Sequence, residues 1–230
     1  MSQSGARFRV MQLVGAGLGM LVCFIATAID YRWLKKIAFP LFGFSLVLLL
    51  LVLIPGVGTF RNGAYRWLDL GPMYFQPSEL AKISLLIALA AWGHLHGRRM
   101  SEFKYGLAFP GIAIGLTLGF IFLEPDYGTT MLLASVCCIL LFVAGSNWKY
   151  IVPPMAAGAV LMGVSIMNNT VRMKRIMAFL HPEQYREDVG FQSYQAMLAL
   201  GSGGTTGLGL GNGRQKLGFV PEHHTDFIFS

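Results

Sequence analysis

Long stretches without a single Asp, Glu, Lys or Arg dominate the chain. Residues 10–29, 37–60, 105–123, 127–148 and 150–171 are each free of these charges. Each is close to or above the ~20 apolar residues an α-helix needs to cross the hydrocarbon of a bilayer. The pattern predicts five membrane-spanning helices. The second is expected to stop near Gly56, because Pro55-Gly56 is a breaker pair.

A sixth helix, third in chain order, has a different pattern. Only residues 83–97 are uncharged there, short of the ~20-residue span. To cross, it must begin near Pro77, with Gln76 as cap and Pro77 in the first turn. Glu79 and Lys82 then fall in its opening turns. Three residues apart, they share a face. Charges at such depth are costly and usually face a cavity or a partner. An ion pair that only ties helices together accounts for the same spacing.

The connections carry the basic residues unevenly. Arg32, Lys35 and Lys36 follow the first helix, Arg98, Arg99 and Lys104 follow the third, and Lys149 lies between the fifth and sixth. All fall on one side, which the positive-inside rule makes cytoplasmic. Residues 56–76, the turn Glu124–Asp126 and the tail from Asn168 fall on the other side. Arg61, Arg66, Arg172, Lys174 and Arg175 lie there too, against that bias. The N-terminus is also expected outside.

Composition agrees with the hydrophobic pattern. The 230 residues are 54% hydrophobic and 13% charged, where a soluble domain carries about 25% charged residues. The net charge of +7 therefore reports topology and gives no nucleic-acid signal. Cys23, Cys137 and Cys138 sit in apolar runs without ligand spacing and read as buried hydrophobes, with no disulfide. A cleavable signal peptide is not expected, since the first apolar run is as long as a span and lacks a cleavage site. Gly207–Gly213 imitates a nucleotide loop, but no GK[ST] occurs and the strand–turn–helix setting is missing. Those glycines suit tight turns at the membrane surface.

The chemistry-bearing stretch is Gln215–Phe229, QKLGFVPEHHTDFIF, which groups Lys216, Glu222, His223, His224, Thr225 and Asp226 before turning apolar. Thr225 or Asp226 also suits the cap of a helix opening at Phe227. Three other patches fall on the same side: Gly63-Ala64-Tyr65-Arg66-Trp67, Gln76–Lys82 (QPSELAK), and Glu124-Pro125-Asp126-Tyr127-Gly128-Thr129. Arg66 suits phosphate, and Trp67 suits either an interfacial anchor or a sugar-stacking face. Asp126 suits a helix cap or an acid at a cavity rim near Lys82. Adjacent His223 and His224 diverge in most backbones, so no closed metal site is assigned. A divalent cation, Mg or Mn, carried loosely by carboxylates and substrate phosphates fits better.

Together these motifs resemble the SEDS family (shape, elongation, division, sporulation) of membrane-embedded peptidoglycan polymerases. The chain is similar to the family's PExHTDFIF motif after a GxGxGxxxQK turn, its GAxRW, its QPSELAK and its PDxGT. The spelling of Gly209–Phe229 is closer to the division-specific branch than to the elongation-specific one. The resemblance covers essentially the whole chain and implies an all-α polytopic membrane protein. The expectation is about six transmembrane helices followed by a large external loop at 168–230. The family has ten helices, so 1–230 is expected to be an internal portion of one SEDS domain, helices two to seven plus that loop.

What the resemblance implies about activity is glycosyl transfer: polymerisation of lipid II into septal glycan strands in the bacterial inner membrane. Asp226 matches the family's essential aspartate and is expected to be the general base or to orient the acceptor. Arg66, Trp67, Glu79, Lys82, Asp126, Lys216, Glu222, His224 and Thr225 are expected to bind substrate. Expected partners are lipid II, a class B penicillin-binding transpeptidase, other divisome proteins and membrane lipid, with no nucleic acid. The rival readings are a lipid II flippase and a non-catalytic divisome scaffold.

Overall fold

The computed structural model describes residues 2–61, 64–69, 71, 74–204 and 206–209. Among these described residues eight α-helices run in order: α1 Ser2–Ala28, α2 Tyr31–Val52, α3 Pro77–His96, α4 Phe109–Leu123, α5 Tyr127–Val143, α6 Trp148–Met167, α7 Thr170–Leu180 and α8 Phe191–Gly203. Between α2 and α3 lies a three-stranded antiparallel sheet of β1 Gly58–Arg61, β2 Ala64–Asp69 and β3 Tyr74–Phe75.

All six expected helices are present. Among the described residues four are long and apolar enough to cross a membrane: α2, α3 continued to Arg99, α4 with its lead-in from Lys104, and α6. The apolar part of α1 from Gln12, and α5, are shorter. The second helix ends four residues earlier than the breaker pair suggested, at Val52, with the Leu53 N–H returning to the Leu50 and Leu51 carbonyls. A residue before proline resists the helical conformation, so the helix must close ahead of Pro55. Gly56 then turns the chain at φ +95, a conformation that favours glycine. At its other end α2 starts ahead of the uncharged run. The Asp30 carboxylate accepts the Arg32 N–H at 2.8 Å and caps it, so Arg32, Lys35 and Lys36 belong to the helix.

The chain forms two units, Met1–Ala156 and Ala157–Ser230, divided within α6. In the first, α3 packs against α2, α4 and α5. Leu49, Ala81, Leu85, Leu89, Ile121, Leu133, Cys137 and Leu141 make its core. Small residues bring the helices close, as is usual where lipid removes the hydrophobic drive for association. The buried Ser45 and Ser84 hydroxyls bond at 2.7 Å, and a Cβ at Gly93 would lie 2.9 Å from that of Ala144.

One end of this unit carries the basic connections. Trp92 Nε1 donates to the Tyr105 carbonyl at 3.0 Å, and Ser146 Oγ donates to the Gly106 carbonyl at 2.9 Å. These bonds close the α3–α4 connection onto the α5–α6 turn, gathering Arg98, Arg99, Lys104 and Lys149. The sheet lies at the opposite end, where α2 ends and α3 begins.

In the second unit the tail from Asn168, expected as a loop, contains α7 and α8 among its described residues. Asn169 caps α7, its Oδ1 accepting the Arg172 N–H at 3.2 Å. Lys174 pairs with Asp188 at 3.1 Å. A cleft of about 490 Å³ lies between the end of α7 and α8, lined by Leu180, His181, Glu183, Tyr194 and Met197 among others.

Candidate functional site

The sheet-bearing end of the first unit is built around one arginine. In β2, Leu68 faces Gly58 and Phe75, Trp67 faces Thr59, and Tyr65 faces Phe60. Arg66 leaves the sheet and reaches the α4–α5 turn. Its Nε donates to the Glu124 carbonyl at 2.7 Å and its Nη2 to the Pro125 carbonyl at 2.8 Å. The carbonyls at a helix C-terminus lack intrahelical partners and carry partial negative charge, so a guanidinium is the natural group to take them. The clamp leaves Arg66 with further donors for a phosphate.

The turn is held just as firmly from its other side. Asp126 caps α5, its Oδ1 accepting the Thr129 N–H at 3.1 Å and its Oδ2 the Thr129 hydroxyl at 3.0 Å. The Thr130 hydroxyl donates to the Asp126 carbonyl. The capping geometry is thus realised. It also fixes the position of one carboxylate beside the Arg66 clamp.

Glu79 and Lys82 stand where the sequence placed them, on the opening turns of α3. They pair at 2.8 Å, with side-chain exposures of 60% and 25% respectively. Among the described residues no ion pair joins either to Arg66 or Asp126. β3 leads straight through Gln76 into α3, so this pair sits at the same end as the clamp. Pro77 opens the helix as expected, but the Gln76 side chain makes no capping bond. It donates instead to the Ser78 hydroxyl.

Glu124 was assigned no role in the sequence, and it is the most unusual group at this end. The residue is 1% exposed, and neither carboxyl oxygen has a hydrogen-bond partner among the described residues. Burial pushes its pKa up to about 8; Arg66 pulls it down and Asp126 pushes it further up, both by less than burial. Arg66 cannot hold the carboxylate down because it bonds the Glu124 backbone, not the side chain. A carboxyl directly after the uncharged run 105–123, one residue ahead of a proline turn, was the available signal: the last turn of a span is seldom wet.

Lys216, Glu222, His224, Thr225 and Asp226 lie outside the described residues, as does His223. Among the described residues no three His, Cys, Asp or Glu side chains gather as a metal site. Asp126 has both oxygens engaged by Thr129.

These features define a polytopic α-helical membrane protein, with those candidate groups that lie among the described residues at one end of the first unit. The family model of the FtsW/RodA/SpoVE cell cycle proteins matches residues 1–230, and the chain belongs to that family. It is 38% identical over 226 residues to the probable peptidoglycan glycosyltransferase FtsW of Trichlorobacter lovleyi, covering 98% of this chain and 59% of that protein. It is 39% identical to the protein of the same name from a Geobacter species, covering 62% of that protein. The chain thus spans about three fifths of the length of these relatives. Among solved structures, Thermus thermophilus rod shape determining protein RodA superposes with a TM-score of 0.57 at 39% identity, over 65% of this chain and 48% of that one. A chain of a peptidoglycan synthase complex, described as coordinating polymerization and crosslinking, gives 0.66 at 36% identity, over 84% and 57%.

Proposed function

We propose that the protein containing this chain is a peptidoglycan glycosyltransferase that polymerises lipid II into glycan strands at the division septum, in the bacterial inner membrane. The main support is likeness along almost the whole chain to proteins named as probable FtsW glycosyltransferases. The gathering of Arg66, Trp67, Glu79, Lys82 and Asp126 at one end of the first unit adds to it.

In the proposed reaction the acceptor 4-hydroxyl forms a bond to the anomeric carbon of the donor sugar. The bond from that carbon to the pyrophosphate oxygen breaks, and the polyprenyl pyrophosphate leaves. Asp226 takes the hydroxyl proton or orients the acceptor. Arg66, Lys82 and Lys216 supply positive charge toward the leaving pyrophosphate. Trp67, Glu79, Asp126, Glu222, His224 and Thr225 complete the substrate contacts. Among the described residues no group of side chains fits a Mg or Mn ion; any such ion would be carried by carboxylates such as Glu222 and Asp226 with substrate phosphates. No step here depends on it. The large loop 168–230 belongs to the extracytoplasmic face in this reading, with the basic connections inside. A class B penicillin-binding transpeptidase is the proposed partner, as the solved peptidoglycan synthase complex suggests.

The test is Asp226→Asn in the full-length protein, assayed on lipid II, with Glu222→Gln as neighbour control. Asn caps a helix nearly as well as Asp, so a capping role predicts normal synthesis. General-base catalysis contributes ~10²–10⁴-fold, so the proposal predicts near-complete loss in a folded, partner-binding protein. Near-normal glycan synthesis would refute the assignment.

A further inference from the structure

The helix that follows the last span carries an apolar face that its own unit covers only in part, with Met173 and Met177 half-buried. In α7, Met173, Ile176, Met177 and Leu180 follow the i, i+3, i+4, i+7 spacing of one face. Ile176, Leu180 and the adjoining Phe179 are exposed, Phe179 to 84%. One contact of α7 with the rest of the unit lies nearly opposite Ile176. There Ala178 is buried, and a Cβ at Gly190 would lie 3.3 Å from its Cβ. Helical spacing places Phe179 between Arg172 and Arg175, beside the Ile176 edge of the apolar arc, and Lys174 along the other edge.

Two further facts say what covers this face. Only Asn168 and Asn169 separate Met167, the end of the membrane-spanning α6, from Thr170, the start of α7. So short a connection holds the beginning of α7 within a residue or two of the bilayer surface. The charges that edge the arc are all basic: α7 contains no Asp or Glu. Apolar residues flanked by Lys and Arg on a helix leaving a span are the requirements of a helix lying in the headgroup region of an anionic bilayer.

We propose that α7 is an interfacial helix. In this arrangement Phe179 and Ile176 enter the acyl-chain boundary, while Arg172, Arg175 and Lys174 contact the phosphates of anionic glycerophospholipids. Long basic side chains reach from the apolar boundary to the headgroups. The contact also resolves the misfit in charge distribution: these three residues mark a lipid-headgroup contact and carry no information about sidedness. Lys174 keeps its exposed ion pair with Asp188, which orients the helix without occupying its outer face.

The test is a nitroxide label at Phe179→Cys in a background lacking Cys23, Cys137 and Cys138. The protein is reconstituted in phosphatidylcholine with or without phosphatidylglycerol, and a label at the exposed Glu187 serves as aqueous control. The expected result is high collision with oxygen and low collision with a water-soluble nickel chelate at Phe179. The shielding should deepen when phosphatidylglycerol is present, and that increment should vanish in Arg172→Glu/Arg175→Glu. Free access of the chelate to Phe179 in both membranes would overturn the proposal. So would low access to oxygen and chelate together, the signature of burial in protein, or shielding indifferent to phosphatidylglycerol. The unmutated arginine background is informative even if the charge-reversed variant fails to fold.

Discussion

Replacing Glu124 by Gln should stabilise the protein at neutral and alkaline pH and remove most of its loss of stability with rising pH. The folded protein holds the Glu124 proton to about 8, against 4.5 for the free group. The difference, 8 − 4.5 = 3.5 units, corresponds to about 5 kcal/mol at ~1.36 kcal/mol per unit. The sign follows from proton counting. Between 4.5 and 8 the folded state keeps this proton and the unfolded state has lost it, so stability falls as pH rises. The contribution is complete below 4.5, is lost progressively up to 8 and is absent above it. By pH ~7 roughly 3 kcal/mol of it has gone. Gln has the same size and is neutral throughout, so it lacks this slope.

The measurement is the unfolding free energy of both proteins in the same detergent, from about pH 5 to about pH 9. The gap between them should open steadily across that range in favour of Glu124→Gln. Parallel pH profiles would show that the carboxyl titrates alike folded and unfolded. A wild type that instead loses stability on acidification would mean that Arg66 holds Glu124 ionised. Either result would refute the account of burial outweighing Arg66.

In a cysteine-free background, single cysteines at Ser101 and Trp148 should resist an impermeant external thiol reagent, and one at Asn62 should react. Labelling at Ser101 would invert the proposed orientation. The double change Glu79→Lys/Lys82→Glu rebuilds the ion pair but moves each charge by three residues. It should abolish glycan synthesis while the protein still inserts, and an active swap would leave the pair a structural role. Gly93→Ala should destabilise the first unit by about 1–3 kcal/mol, the usual cost of overpacking. Its new methyl would stand 2.9 Å from Ala144, and unchanged thermal unfolding would show that α3 and α5 can part without cost.

The bundle was legible because one physical rule governs it: charges are expensive in hydrocarbon, so uncharged runs mark helices almost directly. The start of α3 required a second step, the inference that Glu79 and Lys82 must lie within the helix for it to be long enough. The sheet escaped the same reading because strands of four, six and two residues leave no hydropathy signal. The Asn62-Gly63 pair between β1 and β2 was a hairpin signal of a different kind. It was overshadowed by the resemblance of Gly63–Trp67 to a family motif. Helices α7 and α8 were missed because neither is long enough to register as a span, and the basic residues of α7 counted toward topology, not toward an amphipathic face.

The least legible feature is the one that joins sheet to bundle. Sequence separates Arg66 from Glu124 by 58 positions, and each fits a local explanation, an anion-binding arginine and the polar end of a span. Their connection uses backbone carbonyls, which every residue has and no side-chain pattern marks. Yet this contact puts the Arg66 hairpin beside Asp126, and α3, following β3 directly, brings Glu79 and Lys82 to the same end. The cost is a carboxyl sealed beneath the clamp. Burial raises the Glu124 pKa to about 8, which favours the protonated side chain at neutral pH and lets it stay buried without a counterion. A residue that reads as the polar end of a helix is thereby part of the packing that holds the candidate site together.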